Sequence, residues 1–454
     1  MDTQTLMNQY MERARNAQAE FEKMSQEKVD EAVKVIARVI VDNGDMLAEE
    51  AVKETCMGNV PDKKAKHRNK PGLILHSLKG KKSRGIIERN EVTGITKVAK
   101  PIGVIGAITP TTNPVVTSMS NAMFALKCGN AIILAPHPRA KVCSSMAIEL
   151  MRAELKKINL PEDLIQGIAN PSMDMTNALM KAVDVIIATG GEGMVKAVYS
   201  SGKPALGVGA GNVQTILDRD VDYAEVVPKI VAGRSFDNGI LCTADQSVIC
   251  PTEKFDEILD LFTANNAFVI RDAETVEKFR STLFIDDAMN KHVVGQSPQK
   301  IATLAGVEIP EDAKIIVLEA TGYGMADVLA KEKMCPVLCA YKYDKFEDAV
   351  DMAEANLERQ GKGHSVSLHS NNTKHIEYAA DTLQASRFVV NQVCAIAGAG
   401  SFNNGLTPTN TLGCGSWGNN SISENLGYHH LMNVSRIAYV IKDAHIPTEE
   451  EIWG

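Results

Sequence analysis

The sequence predicts an α/β protein built on two parallel sheets, and three observations carry that prediction. Short apolar, β-rich runs recur at 102–108, 130–135, 183–188, 247–250, 315–319 and 388–391. Helical patterns alternate with these runs, and strands covered by helices on both faces read as near-continuous apolar segments. The length, 454 residues, exceeds one ordinary core, so two units plus an arm or tail follow.

Taken in order, the stretch 1–27 mixes polar and charged residues with no apolar run of the kind a secretion signal needs. No later segment reaches the length of a membrane span, so a cytoplasmic protein without a membrane partner is expected. Between the first two strands Val116, Met119, Met123 and Leu126 recur at helical spacing, and Gly129 supplies the stop. That is a βαβ unit. A second helix begins near Ser144, carries Met151 and Leu155 on one face and ends before Pro161.

The stretch 207–221, with Gly207, Gly209 and Gly211, separates two runs of βα units and places a boundary at about residue 217. Residues 1–217 would then form a cofactor-binding domain that includes part of an oligomerisation arm. Residues 218–425 would carry the nucleophile, and 426–454 would form a C-terminal arm. The strand-like piece 436–441 there either pairs with a neighbouring subunit or is a plain edge strand.

Composition narrows the function. Apolar residues at 44% and charged residues at 23% are ordinary for a soluble globular enzyme, and 33 glycines spread along the chain favour tight turns over disorder. A net charge of -8 offers no basic patch, and the lysine-rich stretch 63–82 is broken by Gly72, Leu73, Ile74 and Leu75, which argues against a nucleic-acid partner. Nine cysteines without a repeated CxxC spacing argue against a disulfide framework or a structural zinc, and no metal is expected.

Each cysteine is therefore judged singly. Cys242 follows an Asn238-Gly239 turn and precedes the strand-like Val248-Ile249-Cys250. That setting brings a thiol near unpaired backbone N–H groups, which lower its pKa and cradle an oxyanion. A single cysteine in an α/β protein is most often a small buried hydrophobe. Thr109-Pro110-Thr111-Thr112-Asn113-Pro114 follows the first strand, where parallel sheets place ligands, and the Asn113 amide can donate to a developing negative charge; an Asn-Pro turn is the plainer alternative. Thr189-Gly190-Gly191-Glu192-Gly193 runs from a strand into a helix, a geometry that holds a pyrophosphate, and Gly207 and Gly209 form a second glycine-rich loop. Neither matches GxGxxG. Pro136-His137-Pro138-Arg139 closes another strand with cationic groups that would meet ribose or phosphate, or solvent.

Together these segments resemble the aldehyde dehydrogenase superfamily, and within it the CoA-acylating branch. The strings TPTTNP, APHPRAK, ATGGEGMVKAVYSSGKPALGVGAGN, FDNGILCTADQS, KEKMCPV, GHSVSLHS and GCGSWGNNSISEN occur in that branch's order along nearly the whole chain. The resemblance implies an aldehyde dehydrogenase-like fold of two Rossmann-like domains with a small oligomerisation arm, and a homodimer or homotetramer. It implies Cys242 as nucleophile, Asn113 as oxyanion donor, and His364 near CoA or in thioester transfer. NAD or NADP would be held by Thr109, Pro110, Thr111, Pro136, His137, Pro138, Arg139, Thr189, Gly190, Gly191, Gly193, Gly207 and Gly209, with Glu332 on the nicotinamide ribose and Pro336 in the same string.

One departure is informative. Hydrolytic relatives carry a glutamate base in the string that corresponds to 205–212, and no acidic residue occupies it here. A thioester on Cys242 would persist until a CoA thiol arrives. Within the branch, the residues 387–392, 401–405 and 451–454 are most similar to CoA-dependent succinate-semialdehyde dehydrogenases, with sulfoacetaldehyde or acetaldehyde as alternative substrates. A non-catalytic nucleotide-binding scaffold is the alternative of another class. A carboxylate at the substrate's far end needs a cation or donor, for which Arg234, Lys203, Arg387 and, beside the nucleophile, Thr243 are the candidates.

Overall fold

Four helices precede the first strand: Thr3–Phe21, Gln26–Asp42, Gly44–Thr55 and Val60–Leu78. Asp2, Ser25 and Asn59 cap the first, second and fourth through side-chain oxygens that accept first-turn N–H groups. Val29, Val33, Ile36 and Ile40 share one face at helical spacing and are buried in the core beneath the first sheet. The structure, a computed structural model, describes residues 2–442 and 444–454.

The first sheet has five parallel strands in the spatial order Ile165–Gly167, Ala131–Ala135, Val104–Ile108, Val185–Thr189, Ala205–Val208. The direction of winding reverses between Val104–Ile108 and Val185–Thr189. A crevice opens beyond the carboxyl ends of strands at such a point, and ligands bind there. The central strands are apolar on both faces because helices cover both, which is why they stand out in the sequence.

The second sheet has seven parallel strands, ordered Ala267–Ile270, Ile315–Glu319, Val337–Tyr343, Asp245–Pro251, Val213–Leu217, Gly363–His369, Ala385–Val390. Within the stretch 207–221, the wholly buried strand Val213–Leu217 pairs with both Asp245–Pro251 and Gly363–His369. The chain changes sheet between Val208 and Val213, ahead of the expected break at 217.

A third, antiparallel sheet joins Gly85–Asn90 and Ile95–Pro101 to Met432–Ala438 near the C-terminus. Met432–Ala438 lies at the sheet's edge and is largely exposed, with Ile437, Tyr439, Val440 and Ile441 open around it. Leu426 and Leu431 meanwhile pack into the core of the first sheet. Among the described residues no helix is long and apolar enough to cross a membrane.

Candidate active site

The strand Val104–Ile108 is buried along its length and delivers the loop 109–113 to the crevice. Pro114 then starts the helix Pro114–Lys127, a position where its fixed φ suits the first turn and its missing N–H costs nothing. Asn113 is the hinge between strand and helix, and its side chain makes no helix-capping bond.

Cys242 arrives from the other sheet. The helix Tyr223–Ser235 ends at a turn in which Asp237, Asn238 and Gly239 all have positive φ, at 50°, 53° and 67°. Two successive non-glycine residues in this region are costly, about 1–2 kcal/mol each. Asp237 offsets that cost through its carboxylate, which accepts the Asn59 N–H at 2.9 Å and pairs with Lys63 Nζ at 3.0 Å and with Lys66. Asn238 Nδ2 donates to the carbonyls of Gly58 and Gly295. The turn thus anchors the nucleophile's segment against the fourth helix of the chain.

Two cavities meet at Cys242. One, about 510 Å³, runs along the ends of the first sheet, and the other, about 170 Å³, is walled by the helix Val60–Leu78. Cys242, Asn113, Asn410 and Leu412 line both. Among the described residues neither the Cys242 backbone N–H nor Asn113 Nδ2 is engaged by another protein group. Burial and the nearby Glu332 push the Cys242 thiol up to about 12, while the Arg387 guanidinium works to lower it. The resting residue is therefore a thiol. Gly211 lies against the Cys242 backbone and donates its N–H to Glu332 Oε1 at 3.1 Å.

The larger cavity gathers most of the expected cofactor residues. Thr109, Pro110, Thr111, Pro136, His137, Pro138, Thr189, Gly190, Gly191, Gly209 and Glu332 all line it. Its chemistry suits a dinucleotide. Thr109 Oγ1 is buried without a partner, a Cβ at Gly191 or Gly209 would meet nothing, and Gly191 caps the helix Glu192–Tyr199 with no side chain over its first N–H groups.

Other expected residues stand apart from it. Gly207 packs under Tyr199, whose hydroxyl lies 2.9 Å from the Gly207 N–H, so this glycine admits an aromatic ring and not a phosphate. Gly193 lies within the helix Glu192–Tyr199, outside the cavity lining. Arg139 reaches the Thr55 carbonyl at 3.4 Å, and Pro336 passes its carbonyl to the Ile316 N–H where the sheet strand begins. His364 opens the strand Gly363–His369, fully buried, with neither ring nitrogen paired and outside the lining of both cavities. Burial and the Arg387 charge hold it well below its ordinary range, hence neutral.

Of the expected substrate cations, none faces a cavity. Arg234 is buried, with Nε and Nη2 donating to the carbonyls of Val337, Lys333 and Cys335 and Nη1 left without a partner among the described residues. Arg387 donates to Ser365 Oγ, the Gly413 carbonyl, Asn425 Oδ1 and the His364 carbonyl. Lys203 lies in the turn before Ala205–Val208. Thr243 does line the smaller cavity, although its hydroxyl is committed to the Ala395 carbonyl at 2.7 Å.

The cations that reach the smaller cavity are Lys66 and Lys70, and sequence reasoning missed both. Lys70 Nζ donates to the Ala399 carbonyl at 2.8 Å, and burial pulls its ammonium down to about 8. A signal existed. Lys63, Lys66, His67 and Lys70 recur at the spacing of one helix face, and that face continues into the buried Ile74 and Leu78. Ser172, Met173 and Thr176, from the start of the helix Met173–Ala182, also line the larger cavity unforeseen.

Away from both cavities, Glu424, His429 and His430 bring potential metal-ligand atoms within 4.8 Å of one another. None of the three lines the cavities at Cys242.

The chain is similar to known proteins along nearly its whole length. The sequence profile of the aldehyde dehydrogenase family matches residues 1–405. The chain is 53% identical over 454 residues, 100% of both proteins, to the succinate-semialdehyde dehydrogenase (acetylating) of Clostridium kluyveri. An acetylating aldehyde dehydrogenase from Geobacillus thermoglucosidasius has the same fold, with a TM-score of 0.94, 36% identity and 98% of each chain covered. A propionaldehyde dehydrogenase from Rhodopseudomonas palustris, solved with bound propionyl-CoA, aligns over 96% of this chain and 94% of its own at a TM-score of 0.86 and 28% identity.

Proposed function

Because this chain belongs to the aldehyde dehydrogenase family, we propose that it is a CoA-acylating member that interconverts succinate semialdehyde and succinyl-CoA through a thioester on Cys242. The observation that carries the acylating assignment is the makeup of the cavity walls. Among the described residues lining the two cavities at Cys242 the one carboxylate is Glu332, and it is tied to the Gly211 N–H. Among the described residues, no free carboxylate stands beside the nucleophile to activate water as a general base.

Cys242 first gives up its thiol proton to solvent; the thiolate attacks the aldehyde carbon, forming a C–S bond while the carbonyl oxygen takes the electron pair. The Cys242 N–H and Asn113 Nδ2 hold that oxyanion, and donors so placed lower such a barrier by about 3–4 kcal/mol each. A nicotinamide dinucleotide supplies the hydride acceptor, or the donor in the reverse direction. Thr109, the glycines 190–191 and Glu332 are the groups that would hold it. Collapse of the oxyanion leaves a thioester, which the CoA thiol attacks, so that the Cys242 C–S bond breaks as the new one forms.

Substrate choice rests on the smaller cavity. Leu73, Val116 and Leu241 give it apolar walls, while Lys70 supplies a positive charge, a pairing that suits a short chain ending in an anion. The relative from Clostridium kluyveri acts on succinate semialdehyde by its name. A sulfonate of similar reach, as in sulfoacetaldehyde, offers the same charge. At the adenosine end of the larger cavity His137 lines the wall, and among the described lining residues no carboxylate faces a 2′-phosphate there, so the lining admits NADP or NAD. The exposed edge strand Met432–Ala438 supports assembly as a homo-oligomer.

The test is CoA dependence. With succinate semialdehyde and NAD(P), steady turnover should require CoA, yield succinyl-CoA and vanish in Cys242→Ala. Turnover indifferent to CoA, or free succinate as the main product, would overturn the acylating assignment.

A further inference from the structure

We propose that Lys66 is a positioning residue that fixes the orientation of the Asn113 amide in the oxyanion site. The proposal rests on the reading of Asn113 as oxyanion donor. An asparagine amide turned by half a revolution exchanges its oxygen for its NH2 group, and its terminal torsion is broad and roughly two-fold. The choice decides the chemistry. The NH2 group stabilises an oxyanion, whereas the amide oxygen would repel it.

Lys66 makes that choice. Its Nζ is in direct hydrogen-bond contact with Asn113 Oδ1. An ammonium has three donors and no acceptor, so only the amide oxygen can face it. Nδ2 is thereby left for the cavity that Cys242 lines. The charge on Lys66 also draws electron density toward Oδ1 and makes Nδ2–H a stronger donor.

Lys66 is itself held in place. The same Nζ donates to Asp237, which receives the Asn59 N–H at 2.9 Å and Lys63 Nζ at 3.0 Å. Gly58 closes over this carboxylate so tightly that a Cβ there would stand 1.9 Å from Asp237 Oδ1. One network therefore joins the helix Val60–Leu78, the nucleophile's turn and the loop of the first sheet. It couples the two groups that must meet the same oxygen. Lys63 also donates to the Thr112 carbonyl at 3.3 Å, so Asp237 stays paired and the loop stays tied when Lys66 is replaced.

The experiment is a double-mutant cycle on the full-length enzyme with Lys66→Met, Lys66→Arg, Asn113→Ala and the double variant Lys66→Met/Asn113→Ala. Turnover is measured with succinate semialdehyde and with butyraldehyde, a neutral aldehyde of the same chain length. Lys66→Met should lower kcat by about 10–100-fold for both aldehydes with KM little changed, as loss of an oxyanion contact does. Lys66→Arg should recover part of the loss, and the double variant should be no slower than Asn113→Ala. Multiplying losses in the double variant, or a rise in KM confined to succinate semialdehyde, would overturn the proposal. An unimpaired Asn113→Ala would remove its premise, a result separate from any failure of CoA dependence. Should Lys66→Met fail to fold, Lys66→Gln, which keeps a donor N–H without the charge, is read by the same criteria.

Discussion

A Cβ placed on Gly211 would stand 2.0 Å from the carbonyl oxygen of Cys242 and 2.8 Å from its carbonyl carbon. The two backbones touch where the first sheet hands over to the second. Gly211→Ala must push the Cys242 segment aside, and a misplacement of about 1 Å can cost on the order of 10²-fold in rate. We expect kcat/KM to fall by about that factor while the thermal midpoint moves by a few degrees at most. Steady-state kinetics beside a melting curve checks both, and wild-type turnover in the alanine variant would contradict the contact.

Lys70 makes a prediction about selectivity. Among the described residues its Nζ has a single hydrogen-bond partner, the Ala399 carbonyl at 2.8 Å, which leaves donors for an incoming carboxylate. Hydrogen bonds to charged groups contribute about 1.5–3 kcal/mol, so Lys70→Met should raise KM for succinate semialdehyde by about 10–100-fold and leave butyraldehyde unaffected. Because burial pulls the ammonium down to about 8, the wild-type advantage for the carboxylate substrate should fade as pH rises past that value. Equal KM changes for both aldehydes would mean that Lys70 shapes the cavity without reading charge.

The contrast between these lysines and the expected arginines shows how far the sequence was legible. The loops 109–113, 136–138 and 189–191 could be placed because each follows an apolar strand, and the winding of the sheet brings strand ends together. Gly207 could not, because a glycine looks the same whether it admits a phosphate or the ring of Tyr199. Val213–Leu217 was masked by the glycines before it, although its burial is complete. Arg387 and Arg234 drew attention as charges near informative strings, whereas only tertiary structure shows them buried and donating to protein oxygens away from both cavities. Lys66 and Lys70 lay in a stretch read only for its net charge, and the helical face they share was the overlooked clue.

Arg387 should therefore behave as a structural residue. Four protein groups from three segments converge on its guanidinium: Ser365 Oγ, the carbonyls of His364 and Gly413, and Asn425 Oδ1. Arg387→Met leaves these buried acceptors without a donor, at about 1–3 kcal/mol apiece where water cannot replace it. A loss of at least about 3 kcal/mol in unfolding free energy is expected, with the KM ratio of succinate semialdehyde to butyraldehyde unchanged in whatever protein folds. Urea unfolding measures the first and steady-state kinetics the second. A stable variant with an altered ratio would restore Arg387 as a substrate contact.

Glu332 supplies a pH dependence whose sign follows from its surroundings. Burial pushes its carboxyl from 4.5 up to about 8, against the Gly211 N–H and the charges of Arg234 and Lys333, which pull it down. Between those two values the folded chain keeps a proton that the unfolded chain releases. The folded state binds more protons there, so its stability falls as pH rises through the window, by at most about 1.4 kcal/mol per pH unit for one group. Glu332→Gln is neutral throughout and lacks this contribution. In the absence of cofactor, the stability of the glutamine variant relative to wild type should therefore climb steadily from pH 5 to pH 8 and level off above. Urea midpoints across that range read the difference directly, and a constant offset between the two proteins would mean that Glu332 is already ionised in the folded chain.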